Sequence, residues 1–181
     1  MGLSTSTPGV LPPRESATCR LVVRKKEGPS EVLDFVVAGL EAGQQVFTLG
    51  GPAHLKALAC RLTESGLRPE ALLRNGRLVF LTAPAFLDTL VKREHAFSPL
   101  QRNGTVVRWL SDWSWAYSNG TSLEAVRSYQ RRVHDVVRSI TPLSLCTVDC
   151  ESLERSSLLA MLADHRRAAR SDGRTASAGR Q

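Results

Sequence analysis

The chain has 181 residues, 42% of them hydrophobic and 23% charged, with a net charge of +7; that size and balance fit one soluble globular domain with room for a proper core. No apolar run approaches the roughly 18–20 residues of a membrane span. The opening "MGLSTSTPGVLPPRES" has neither the basic nor the apolar region of a secretory signal, which points to the cytoplasm.

Residues 1–16 read as a disordered segment ahead of a domain over 17–169. Gly2 and Ser6 fit the myristoylation pattern, but nothing supplies a second membrane signal. "TCRLVV" (Thr18–Val23) is a short continuous apolar strand. "SEVLDFVVAGLEAG" follows as a helix opened by Ser30 and closed by Gly43. "QQVFTL" is the second strand, and "GGPAHLKALACRLTESG" a helix with Pro52 in its first turn and Gly66 past its end. "RPEALLRNG" reads as a short extra helix and "RLVFLT" (Arg77–Thr82) as the third strand.

The segment from Ala83 to Gly104 holds one helix before Ser98-Pro99 interrupts it. "TVVRWL" is the fourth strand. The longest helix follows, with Leu123, Val126, Val133, Val136, Val137 and Ile140 on a helical period and Ser122 as its cap. "PLSLCTV" is the fifth strand, and "SLERSSLLAMLADHRRAA" the closing helix. Residues 170–181 are a basic tail expected to be disordered: Arg166–Gln181 holds five arginines against one aspartate, most of the net charge. Such a tail gives weak, salt-sensitive attraction to nucleic acid. The body carries no helix-turn-helix, zinc-finger or RNA-binding pattern.

This alternation specifies an α/β fold of three layers: a mainly parallel sheet of about five strands with helices on both faces. Ligands in such folds bind outside the carboxyl ends of the strands. A Walker A loop needs a Gly-Lys-Ser/Thr core; "TLGGPAHLKAL" lacks it, and Pro52 removes a donor N–H, so Gly50-Gly51 reads as a tight turn. Cys19, Cys60 and Cys146 lie in apolar runs, where free cysteine behaves as a small buried hydrophobe. Cys146 and Cys150 are four apart with no histidine or Cys-x-x-Cys pair to complete a zinc pattern. No metal or other cofactor is implied. Ser114, Asp112 and His165 assemble into a hydrolase triad only on paper, for there is no G-x-S-x-G elbow. His134, among charged helix neighbours, reads as a surface residue. For His165, near the end of the last helix, a cap-like role and a ligand role stand level.

All three tryptophans and one of the two tyrosines fall in "RWLSDWSWAYSNG", the stretch that runs off the fourth strand. Trp109 is assigned to packing between sheet and helices. Trp113, Trp115 and Tyr117 alternate, which places them on one side of an extended segment, with Asp112 and Ser114 between them. An apolar wall with a few polar groups is the composition of a small-molecule pocket. For Trp113 and Trp115, ligand wall and core edge are equal readings.

In order and spacing, "AGLEAGQQVFTL", "LRPEALLRNGRLVFLTA", "SDWSW", "SYQRRVHDVV", "LSLCTVD" and "LADH" resemble the MEDS domain, a methanogen/methylotroph, DcmR-type sensory domain related to the RecA/KaiC fold but without a working phosphate loop. The resemblance spans about Thr18 to Arg167. It implies a non-catalytic sensory or regulatory module that binds a small molecule and acts through a protein partner, either a sensor kinase or a transcription or sigma-factor regulator. By position it assigns Cys19, Asp112, Ser114, Trp115, Cys146 and His165 to the family's motif residues, and the ligand set expected here is Cys19, Asp112, Trp113, Ser114, Trp115 and His165. Departures are Ala17 for a histidine, Val22 for a tyrosine, Gln130 for an acidic residue, and a shorter segment between the third and fourth strands. They leave a degenerate interaction module without ligand as the alternative, and a nucleotide-binding enzyme as a further one.

Overall fold

The computed structural model describes residues 18–24, 31–83, 85–87, 104–118, 120–140, 143–149, 151 and 153–165. The segments expected to be disordered at 1–16 and 170–181, and most of the helix expected between the third and fourth strands, lie outside them. In chain order the elements are β1 (Thr18–Arg24), α1 (Glu31–Glu41), β2 (Gln45–Gly50), α2 (Pro52–Glu64), α3 (Pro69–Arg74), β3 (Leu78–Thr82), β4 (Val107–Asp112), α4 (Ser114–Ser118), α5 (Leu123–Ile140), β5 (Leu143–Asp149) and α6 (155–165).

Local chemistry sets several boundaries. Pro52 occupies the first turn of α2, where its missing N–H has no helical partner to lose. Gly66 follows that helix at φ +81° and Gly43 follows α1 at φ +74°, a backbone region that strains other residues. The hydroxyl of Ser122 accepts the Ala125 N–H at 3.2 Å and so caps α5.

All strand pairs are parallel, in the order β1-β5-β4-β2-β3. The four strands β5-β4-β2-β3 carry the core on both faces, and β1 runs beside β5 at the edge. Strand alternation divides the side chains between two layers. Val46, Leu78, Leu110 and Leu145 meet Val32, Val36 and Leu40 of α1 and Leu58 and Leu62 of α2. Phe47, Leu49, Leu81 and Trp109 meet Val126, Val133 and Val137 of α5 and Met161 of α6. Each fully buried side chain of this size contributes about 1.5–3 kcal/mol of transfer free energy. Trp109 packs as expected, 1% exposed and stacked on Phe47 with ring centroids 5.8 Å apart.

Two expectations change. Cys60, read as buried, lies on the exposed face of α2, whereas Cys146 is buried on β5. Leu55, Leu58 and Leu62 take the inward stripe of α2, and Cys60 falls outside it. The stretch after Trp113 is not extended: Ser114–Ser118 forms a short helix, so alternation does not align Trp113, Trp115 and Tyr117.

The strand order also fixes where the connections of the sheet diverge. The chain leaves β2 toward β3 on one side, and leaves β4 toward β5 on the other. β2 and β4 are therefore neighbours whose outgoing connections diverge, the switch point at which open parallel sheets bind ligands.

Candidate functional site

At that switch point β4 ends in Asp112, whose side chain, two residues beyond Leu110, belongs to the α1/α2 face. Asp112 is only 1% exposed. Its Oδ1 accepts hydrogen bonds from the hydroxyls of Ser114 and Thr147, each at 3.0 Å. Oδ2 lies 3.7 Å from Nδ1 of His54 in the first turn of α2, an ionic contact whenever the imidazole is protonated and too long for a hydrogen bond. Thr147 is the cross-strand neighbour of Asp112. The Trp113 N–H extends the ladder one residue further by donating to the Thr147 carbonyl at 2.9 Å.

Ser114 links this carboxylate to the end of β5. Its hydroxyl donates to Asp112 and accepts the Asp149 N–H at 2.9 Å. Asp149 in turn accepts the Glu151 N–H at 2.9 Å, so a chain of polar contacts leads from β4 to the approach to α6. In the paper triad a histidine would activate the serine; here the serine bonds the aspartate directly.

Two glycines make the close packing possible. A Cβ on Gly50 would stand 3.0 Å from His54 Cδ2 and 3.5 Å from Asp112 Cβ. One on Gly51 would stand 2.8 Å from Trp115 Cβ, closer than real side chains approach. The Gly50-Gly51 turn is thus occupied by the protein's own side chains, in agreement with its reading as a tight turn.

The expected ligand set separates. Asp112 and Ser114 meet in the crevice. Trp113 and Trp115, 1% and 9% exposed, belong to the hydrophobic cluster on the α5 face. His165 sits on α6, its Nδ1 2.9 Å from the Met161 carbonyl one turn back, a cap-like contact. The same helix packs through Met161 into the α5-side cluster and pairs Asp164 with Arg127, away from the Asp112 face. Cys19 on β1 pairs with Ser144, three register rows before the Val22–Thr147 row; at ~3.3 Å per residue that is about 10 Å from the level of Asp112. Neither His165 nor Cys19 joins Asp112.

His54 and Thr147 were missed by sequence reasoning. The only signals were a histidine in the first turn after a Gly-Gly-Pro and a threonine at the end of an apolar strand, neither specific by itself. On the α5 side, Arg127 bonds Asp164 through two contacts of 2.6 and 2.9 Å, which raises its pKa. Burial pushes the Tyr117 phenol up to about 12; Asp164 adds to that and Arg127 opposes it. Among the described residues no group of three or more His, Cys, Asp or Glu side chains is placed to hold a metal, and no helix is long and apolar enough to cross a membrane.

A parallel sheet flanked by helices, with buried polar contacts at its switch point, is a fold of the α/β class. Residues 18–166 match the MEDS family, the methanogen/methylotroph, DcmR sensory domain. The match takes in every strand of the sheet, and the chain belongs to that family of sensory domains. A search of curated proteins found no match.

Proposed function

We propose that this domain is a non-catalytic sensor that works in the cytoplasm. It binds a small molecule in the crevice where β2, β4 and β5 end, and transmits occupancy to a protein partner, a sensor kinase or a regulator of transcription or of a sigma factor. Its fold is then a relative of the RecA/KaiC sheet in which the phosphate-loop position has been given over to packing. The observation that carries the proposal is the Asp112 carboxylate, buried at the switch point and shared among Ser114, Thr147 and His54.

A ligand shifts an equilibrium only through different affinity for the two states. Here the difference lies at Ser114. A ligand donor that competes for Asp112 releases the Ser114 hydroxyl, and with it the Asp149 N–H at the end of β5. The change then reaches the surface through the approach to α6.

Titration of the full chain with small apolar, halogenated and nucleotide compounds, read by tryptophan emission, tests this. One class should give a saturable shift that is lost in Asp112→Asn, with the variant shown to be folded. A flat response from folded wild-type protein across the panel leaves the interaction module without ligand as the better account.

A further inference from the structure

On the opposite face of the sheet, a second set of polar groups is buried without hydrogen-bond partners: Nε1 of Trp113, Nε1 of Trp115, the Tyr117 hydroxyl, both amide atoms of Gln130 and Nε2 of His134. They share one face of the sheet. Trp113, Trp115 and Tyr117 belong to one hydrophobic cluster with Val126, Val133 and Val137 of α5. On a helical wheel Gln130 falls in the same stripe as those valines, so it points into that cluster, and His134 is one turn further on. Tyr117 senses the charges of Arg127 and Asp164, which ties the α4 turn to the same side of α5.

Native interiors contain few unpaired buried polar groups, and each weakens folding unless something satisfies it. Trp113 and Trp115 are donors only, and the Tyr117 phenol, held neutral by burial, is a further donor. Gln130 supplies one donor amide and one acceptor oxygen. The set therefore matches an oxygen acceptor set among apolar walls. Among the described residues the cation beside Tyr117, Arg127, is already matched by Asp164 and is not left to pair with a bound anion.

The geometry points to a second binding site, between the end of β4 and the inner face of α5, where the Trp113 and Trp115 indoles, Tyr117, Gln130 and His134 take a small neutral molecule with an apolar body and a carbonyl or similar acceptor oxygen. The site is separate from the Asp112 crevice and stands whether or not that crevice binds anything.

The test uses the full chain and three probes of similar size: butan-2-one, butyrate and butylammonium. Trp109 is an internal control, since its Nε1 already donates to Ser111 Oγ at 2.6 Å. In nitrogen–proton correlation spectra, butan-2-one should move the indole N–H signals of Trp113 and Trp115 to saturation while that of Trp109 stays in place. Butyrate and butylammonium should leave all three unmoved. Gln130→Leu should weaken the ketone by about tenfold, as loss of a hydrogen bond in a dry site does, and Cys60→Ser, on the exposed face of α2, should not. His134→Phe serves if Gln130→Leu does not fold. The inference is overturned if no indole signal saturates, if all three move together, if butyrate or butylammonium acts like the ketone, or if the response survives in Gln130→Leu and vanishes in Asp112→Asn. That last pattern would place the ligand in the crevice.

Discussion

Replacing Asp112 tests whether the crevice is held together as described. The carboxylate is 1% exposed and accepts two hydroxyl hydrogen bonds of 3.0 Å through a single oxygen. Hydrogen bonds to a charged group contribute about 1.5–3 kcal/mol each. Asp112→Ala removes both and leaves the Thr147 hydroxyl with only a 3.5 Å contact to the Ser111 carbonyl. The expected loss is about 3–5 kcal/mol, which for a chain of this size lowers Tm by about 6–20 °C. Asp112→Asn keeps an acceptor oxygen for Ser114 and Thr147 and gives up only the charge, so its cost should be about 1–2 kcal/mol.

Urea unfolding followed by tryptophan emission measures both variants, with unchanged m-values required for the comparison. Thr147→Val closes a double-mutant cycle with Asp112→Ala, and the two should couple by about 1–2 kcal/mol because they share one contact. If Asp112→Ala costs less than about 1 kcal/mol, the carboxylate is not the hub of these contacts. The same follows if its effect simply adds to that of Thr147→Val.

Gly51→Ala sets a Cβ 2.8 Å from Trp115 Cβ, an atom that no flexible side chain end can withdraw; the variant should lose about 1–3 kcal/mol and shift tryptophan emission, and wild-type stability would contradict the packing of α4 on the α2 turn. For Tyr117 the folded pKa of about 12 lies above the ordinary 10.0, so its contribution to stability is complete below pH 10 and is lost as pH rises toward 12. Tyrosinate absorbance in a Tyr129→Phe background should follow that late titration. Arg127→Ala should move it higher still and Asp164→Asn lower, since Arg127 favours the phenolate and Asp164 opposes it; reversed shifts would refute the assignment.

The fold was legible because its signals are local. Short apolar runs, Pro52 at a helix start, Gly43 and Gly66 past helix ends and the Ser122 cap each act within a few residues, and together they give the parallel α/β alternation. The candidate site was legible in part. The SDWSW stretch marked the right strand end, but a five-residue helix has too few turns to show a period, so Trp113, Trp115 and Tyr117 were aligned as if extended. His54 comes near Asp112 across the end of β2, where a Cβ on Gly50 would crowd the imidazole at 3.0 Å, a fact about two strands that adjoin in space and not in sequence. Gln130 and His134 had a signal that was passed over. Gln130 lies in the Val126, Val133 and Val137 stripe and His134 on its flank, and a polar residue there is turned inward whatever its charged neighbours suggest.

The same four residues, Asp112 to Trp115, serve both layers of the sheet. Strand alternation sends the Asp112 side chain toward α2 and Trp113 into the α5 cluster, and both residues are pinned to Thr147, one by its side chain and one by its backbone. Residues 112 and 113 therefore have little freedom to move. Freedom begins at Ser114, where the chain turns from strand to helix and a single hydroxyl is shared between Asp112 and the Asp149 N–H. Trp115, one residue on, rests on Gly51 of the crevice with its Cβ and on the α5 cluster with its ring. A molecule bound on either face must act on this turn to be felt on the other. Coupling between the two faces thus requires no path through the rigid sheet, only a change in how α4 sits on its end.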